Sequence, residues 1–185
     1  MLTCAAAMEE YGAMSHALGD GADGSAPKSA PSFELTFRPS VELISVVRRF
    51  VMEFYQKVLQ DHDASGRLAL ATHELLENAA KYSTDGEAML CVTVDRAAGT
   101  VLVRTTNRAT PGQREALRTC FEEIAAAPDA GVLYAQMLRR SAVKTTGSGG
   151  LGLARIWAES DMALNLAVDG DTVEIQARGP ITTAG

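Results

Sequence analysis

The order of patterned segments predicts an α+β fold, a two-layer α/β sandwich. Three observations carry that expectation. A short alternating segment opens the patterned part of the chain. Long helical runs follow it directly. Two hairpin signals then appear, one before and one after a further block of helical sequence. Hairpins separated by grouped helices describe a sheet covered by helices, not a parallel sheet wound on both faces.

The first element is Phe33-Glu34-Leu35-Thr36-Phe37-Arg38, whose alternation of apolar and polar residues reads as a half-buried strand. Pro39 ends it, and Ser40 is placed to cap the helix that follows. From Val41 to about Gln60, the residues Leu43, Ile44, Val47, Phe50, Val51, Phe54 and Val58 recur at helical spacing. Asp61 to Gly66 reads as a turn into a second helix, Arg67 to Tyr82, which contains no Gly or Pro and is rich in Leu and Ala. Thr84-Asp85-Gly86 closes it. Strands Ala88 to Asp95 and Val101 to Thr106 meet at a turn around Ala97-Ala98-Gly99. Gln113 to Ala127 and Asp129 to Arg140 read as helices split by Pro128. Leu151 to Ala158 is a further helix. The last two strands, Met162 to Val168 and Thr172 to Ala177, are joined by Asp169-Gly170-Asp171, a strong hairpin signal.

With 185 residues, 46% of them hydrophobic, the chain can bury one good core, and a single domain over residues 32–180 is expected. Residues 1–31, dominated by Ala, Gly, Ser and Pro, read as a flexible arm, and 181–185 as a tail. The net charge of −6 argues against a general nucleic-acid binder. No stretch reaches membrane-spanning length. Cys4, Cys91 and Cys120 are widely spaced and lack a metal pattern, which suggests reduced thiols and a cytoplasmic location. His16, His62 and His73 are equally scattered.

Chemistry concentrates in the second helix. At about 100° per residue, Glu74, Asn78 and Lys81 fall within a roughly 60° arc. Leu68, Thr72, Leu75, Ala79 and Tyr82 gather on another, mostly apolar side. A carboxylate can serve as a base, an amide oxygen can hold a hard cation such as magnesium, and an ammonium can offset phosphate charge. By itself such a line also describes a solvated helix surface. A later stretch, Thr145-Thr146-Gly147-Ser148-Gly149-Gly150-Leu151-Gly152-Leu153, supplies a glycine-rich lead into a helix, where free N–H groups cradle anions. By itself this also reads as a plain turn. It is not a P-loop, since no Gly-Lys-Ser/Thr follows, and no strand leads into it as the dinucleotide fingerprint requires.

Together the two stretches resemble the GHKL ATPase superfamily, which includes gyrase-type ATPases, histidine kinases and small serine kinases that act as anti-sigma factors. The Glu-x-x-x-Asn pattern of its first box matches Glu74 and Asn78, and the later Ser-Gly-x-Gly-Leu-type box matches Ser148, Gly149, Gly150, Leu151 and Gly152. The resemblance covers roughly Phe33 to Ala177. It implies the Bergerat-type ATP-binding fold, a mixed sheet with helices on one face. It also implies ATP and Mg2+ as cofactors, with Glu74 as general base, Asn78 on magnesium, Lys81 beside phosphate, and the backbone of Gly149, Gly150 and Gly152 meeting the terminal phosphates.

The match departs from the family after the strand at Val101. There the family carries Asp-x-Gly-x-Gly, whose Asp binds the adenine amino group. Here Asn107 stands at the Asp position, with Ala109 and Pro111 at glycine positions. A neutral amide makes a weaker hydrogen bond than a carboxylate, so weakened or lost ATP binding is expected. Arg139, Arg140 and Lys144 read either as solvated helix-end cations or as groups reaching phosphate.

The resemblance is closest to compact serine/threonine protein kinases of partner-switching pathways. It implies a regulatory protein partner, either an antagonist protein or a sigma factor, and a homodimer. The alternatives are a degenerate partner-binding regulator without chemistry, and an ATPase or histidine-kinase-type catalytic module. The stretch before the domain is too short and too rich in Gly, Ala and Pro for a phosphoacceptor helix pair.

Overall fold

The computed structural model of the protein describes residues 30–38, 40–59, 61–143 and 150–181, the side chains of 41, 42 and 143 excepted. Strand β1 (Ser32–Phe37) is followed by helices α1 (Val41–Leu59) and α2 (His62–Tyr82). The hairpin of β2 (Ala88–Asp95) and β3 (Thr100–Arg108) comes next. Helices α3 (Pro111–Ala126), α4 (Ala130–Val143) and α5 (Leu151–Glu159) lead to a second hairpin, β4 (Ala163–Asp169) and β5 (Thr172–Pro180). The α+β sandwich therefore stands. The expected arm and tail lie almost wholly outside the described residues.

The five strands form one sheet in the order β1-β2-β3-β5-β4. Every neighbouring pair is antiparallel, whereas the resemblance implies a mixed sheet. The connections explain the difference. Two helices lie between β1 and β2, an even number of passes, so the chain re-enters the sheet at the end it left. Strand β4 does run in the same sense as β3, but β5 lies between them and pairs with both.

Alternate residues of the central strands face the helices. Leu90, Val92 and Val94 of β2, Val101 and Val103 of β3, and Val173, Ile175 and Ala177 of β5 share one core with Leu68, Leu75 and Leu76 of α2 and Leu153 and Ile156 of α5. Burying a leucine fully is worth about 1.5–3 kcal/mol, so this shared core fixes how α2 and α5 sit on the sheet. The buried side of α2 follows the expected spacing: Leu68, Thr72, Leu75 and Ala79 are all buried. Thr72 satisfies its hydroxyl inside that core. It donates to the Leu68 carbonyl at 2.8 Å and accepts from the fully buried Tyr55 hydroxyl at 3.0 Å. Burial holds the Tyr55 phenol far above its ordinary range.

Helix α2 begins at His62, where a turn was expected up to Gly66. Asp61 caps it, its carboxylate accepting from the Ala64 N–H at 3.0 Å. Such a cap is worth about 1 kcal/mol, which offsets the roughly 1 kcal/mol that Gly66 costs inside a helix. Among the described residues, no helix is long and apolar enough to cross a membrane.

Candidate functional site

Glu74, Asn78 and Lys81 of α2 line a single hollow of about 240 Å³, just under the ~300–1,000 Å³ of typical small-molecule sites. The opposite wall is the start of α5, where Gly150, Leu151 and Gly152 face the same space. Glu77, Tyr82 and Tyr134 complete it, together with Arg155. The three polar residues of the helix line and three of the glycine-rich stretch are thus brought together. Ser148 and Gly149 lie outside the described residues.

The glycines permit this closeness. Gly150, the N-cap of α5, has φ +97°, a left-handed conformation that side chains rarely adopt. A Cβ there would stand 2.4 Å from the Cys120 sulfur. At Gly152 a Cβ would stand 2.5 Å from Glu74 Oε2. A side chain at 152 would therefore push the Glu74 carboxylate aside, and glycine lets α5 lie directly against it.

Glu74 does not stand alone in the hollow. Arg155 donates from Nη1 to Glu74 Oε1 at 3.0 Å and from Nε to Glu159 Oε2 at 2.9 Å. Glu159 first, then Glu74, raise the guanidinium pKa above its ordinary value, so the group is a permanent cation. The Arg155 side chain is 39% exposed and that of Glu74 13%. A pair with one partner this exposed is worth about 0–1 kcal/mol, too little to lock the site. Lys81 is exposed, with its ammonium 5.1 Å from the Tyr82 ring centroid. The four charged lining residues, Glu74, Glu77, Lys81 and Arg155, sum to a formal charge of zero.

Asn78 carries an unmet polar group. Its amide nitrogen is out of reach of solvent and has no hydrogen-bond partner. An unpaired buried donor costs about 1–3 kcal/mol, so the residue is held at some expense to the fold. Asn78→Leu, close in volume and without the amide, should raise the melting temperature by about 2–6 °C in a thermal scan. A lower melting temperature would show that the amide is satisfied.

No family model matches the sequence, and no curated protein sequence matches it. The fold is similar to that of a solved structure. That structure is a chain in the crystal structure of the SiaB-SiaC complex from Pseudomonas aeruginosa. The TM-score is 0.60 at 17% identity, and the match covers 79% of this chain and 88% of that one. At this identity the likeness is one of fold.

Asn107 and Ala109 are not among the residues lining the hollow. Strand β3 continues to Arg108, beyond the expected end at Thr106, and holds Asn107 in the ladder opposite Ala88 and Val173. Its side-chain amide donates to the Arg108 carbonyl at 3.1 Å. Ala109 is buried in the core, its N–H donating to the Asp171 carbonyl at 2.9 Å. Pro111 opens α3, with Thr110 and Gln113 closing a capping box. This segment ends a strand and starts a helix.

Arg140 pairs with Glu123 of α3 at 3.5 Å and does not line the hollow. Lys144 lies outside the described residues. Cys120 is a free, buried thiol. No group of three or more His, Cys, Asp or Glu side chains placed to hold a metal occurs among the described residues.

Arg155, Glu77, Tyr82 and Tyr134 were not expected as site residues. Arg155 had a readable signal. It follows Gly152 by three residues on a helix, which puts the two on one face. Nothing in the local pattern marks Tyr134.

Proposed function

We propose that the chain is an ATP-binding, serine/threonine-kinase-like regulator that acts on a partner protein in a partner-switching, anti-sigma-type pathway. The supporting observation is the convergence of Glu74, Asn78 and Lys81 with Gly150 and Gly152 on one hollow. The residues present fit a magnesium nucleotide. Asn78 lines the hollow and has an amide oxygen to offer a hard cation. Magnesium is commonly bound by one or two protein oxygens plus substrate phosphates, so the lack of a three-carboxylate cluster is no obstacle. Bound there, the nucleotide supplies the phosphoryl group.

The chain's own residues then take defined parts. Glu74 accepts the proton of the attacking hydroxyl. Lys81 offsets phosphate charge. The first N–H groups of α5 face the anion. Tyr82 and Tyr134 line the hollow and offer rings on which a base can stack. The similar fold comes from a complex of two proteins, which supports a protein partner here.

A second reading, a partner-binding regulator without chemistry, is favoured by two observations: Arg155 already engages Glu74, and Asn107 bonds its own strand. Calorimetric titration with magnesium ATP separates the two. The kinase-like reading expects saturable heat in the micromolar to millimolar range. It further expects acid-stable label on a candidate partner after incubation with γ-labelled ATP. No heat at millimolar nucleotide leaves the second reading, and acid-labile label points instead to a phosphohistidine module.

A further inference from the structure

We propose that Arg155 selects phosphate-bearing ligands for this hollow and is held in reserve on Glu74 until one arrives. This rests on the nucleotide reading above. Arg155 lies on α5 directly behind the glycine cradle, with its Nη1 3.0 Å from Glu74 Oε1 inside the hollow. Its other anchor, Glu159, holds Nε at 2.9 Å, so the guanidinium stays oriented toward the hollow when Glu74 lets go.

Charge decides what happens on binding. The lining is formally neutral when Glu74, Glu77, Lys81 and Arg155 are all counted. A polyphosphate entering it meets two carboxylates, and only the two cations offset them. The Arg155–Glu74 pair is weak because one partner is substantially exposed, whereas a guanidinium grips phosphate through two parallel donors. Exchange of partners therefore favours the phosphate. It also strips Glu74 of its counter-ion and leaves the carboxylate free to take a proton. One residue thus couples occupancy of the hollow to the release of its base.

The test is magnesium ATP affinity, by calorimetry, of the wild-type chain, Arg155→Gln and Arg155→Lys, with thermal scans to confirm folding. Arg155→Gln should bind at least tenfold more weakly, and Arg155→Lys, which keeps the charge but loses the fork, should recover part of that loss. A loss of less than tenfold, or a lysine variant no better than glutamine, overturns the role of Arg155 and leaves the nucleotide reading intact. A wild-type chain that binds no magnesium ATP removes both.

Discussion

Glu74→Gln should lower ATP turnover by about 10²–10⁴-fold, the usual contribution of a positioned general base, while nucleotide affinity stays at or above wild type. The substitution keeps the shape of the side chain against Gly152, where space is so tight that a Cβ would meet Glu74 Oε2 at 2.5 Å. It removes the proton acceptor and the anionic partner of Arg155 together. Losing an ion pair this exposed costs at most about 1 kcal/mol, so melting should shift by only a few degrees. The effect is then confined to the chemical step. ADP formation by the purified chain, with water as acceptor, checks it without knowledge of the partner. Turnover within tenfold of wild type would remove Glu74 as the base. Turnover lost together with binding would make it a ligand anchor instead.

Patterned sequence carries most of the fold because each strand and helix repeats its signal many times. The expected and observed limits of β2 coincide at Ala88 and Asp95, since both flanks carry turn residues. Direction in the sheet is less legible. Strand sense depends on how many helices pass between strands and on which strand intervenes, and a period of two residues contains neither. The site splits the same way. Glu74, Asn78 and Lys81 share one helix, so their common side follows from geometry within a single element. The Arg155 contact with Glu74 joins residues 81 positions apart, and only the packing of α5 on α2 creates it. The place of Asn107 was hidden for a related reason. The motif puts that position in a loop after the strand, but backbone bonds from β2 and β5 keep the residue in the strand itself.

Gly150→Ala should cost about 2–5 kcal/mol and lower the melting temperature by about 5–15 °C. Two separate penalties add. The first is the left-handed conformation, φ +97°, which costs a residue with a Cβ about 1–2 kcal/mol. The second is overpacking of about 1–3 kcal/mol, because the new Cβ would lie 2.4 Å from the Cys120 sulfur. Cys120 acts there as a neutral spacer: burial, with Glu123 adding to it, pushes its thiol up to about 11. The two penalties can be measured apart. In Gly150→Ala with Cys120→Ala the sulfur is gone and the next atom, the Cys120 Cβ, stands at an ordinary 3.4 Å. The double variant should therefore be more stable than the sum of its single effects allows, and should retain only the backbone term. Gly170 isolates that term, since it has φ +57° and a Cβ there would meet nothing within 4 Å. Gly170→Ala should cost about 1–2 kcal/mol and no more. A Gly150 variant that melts with the Gly170 variant would mean that α3 yields to the methyl group. The cradle would then be set by backbone conformation and not by the Cys120 contact.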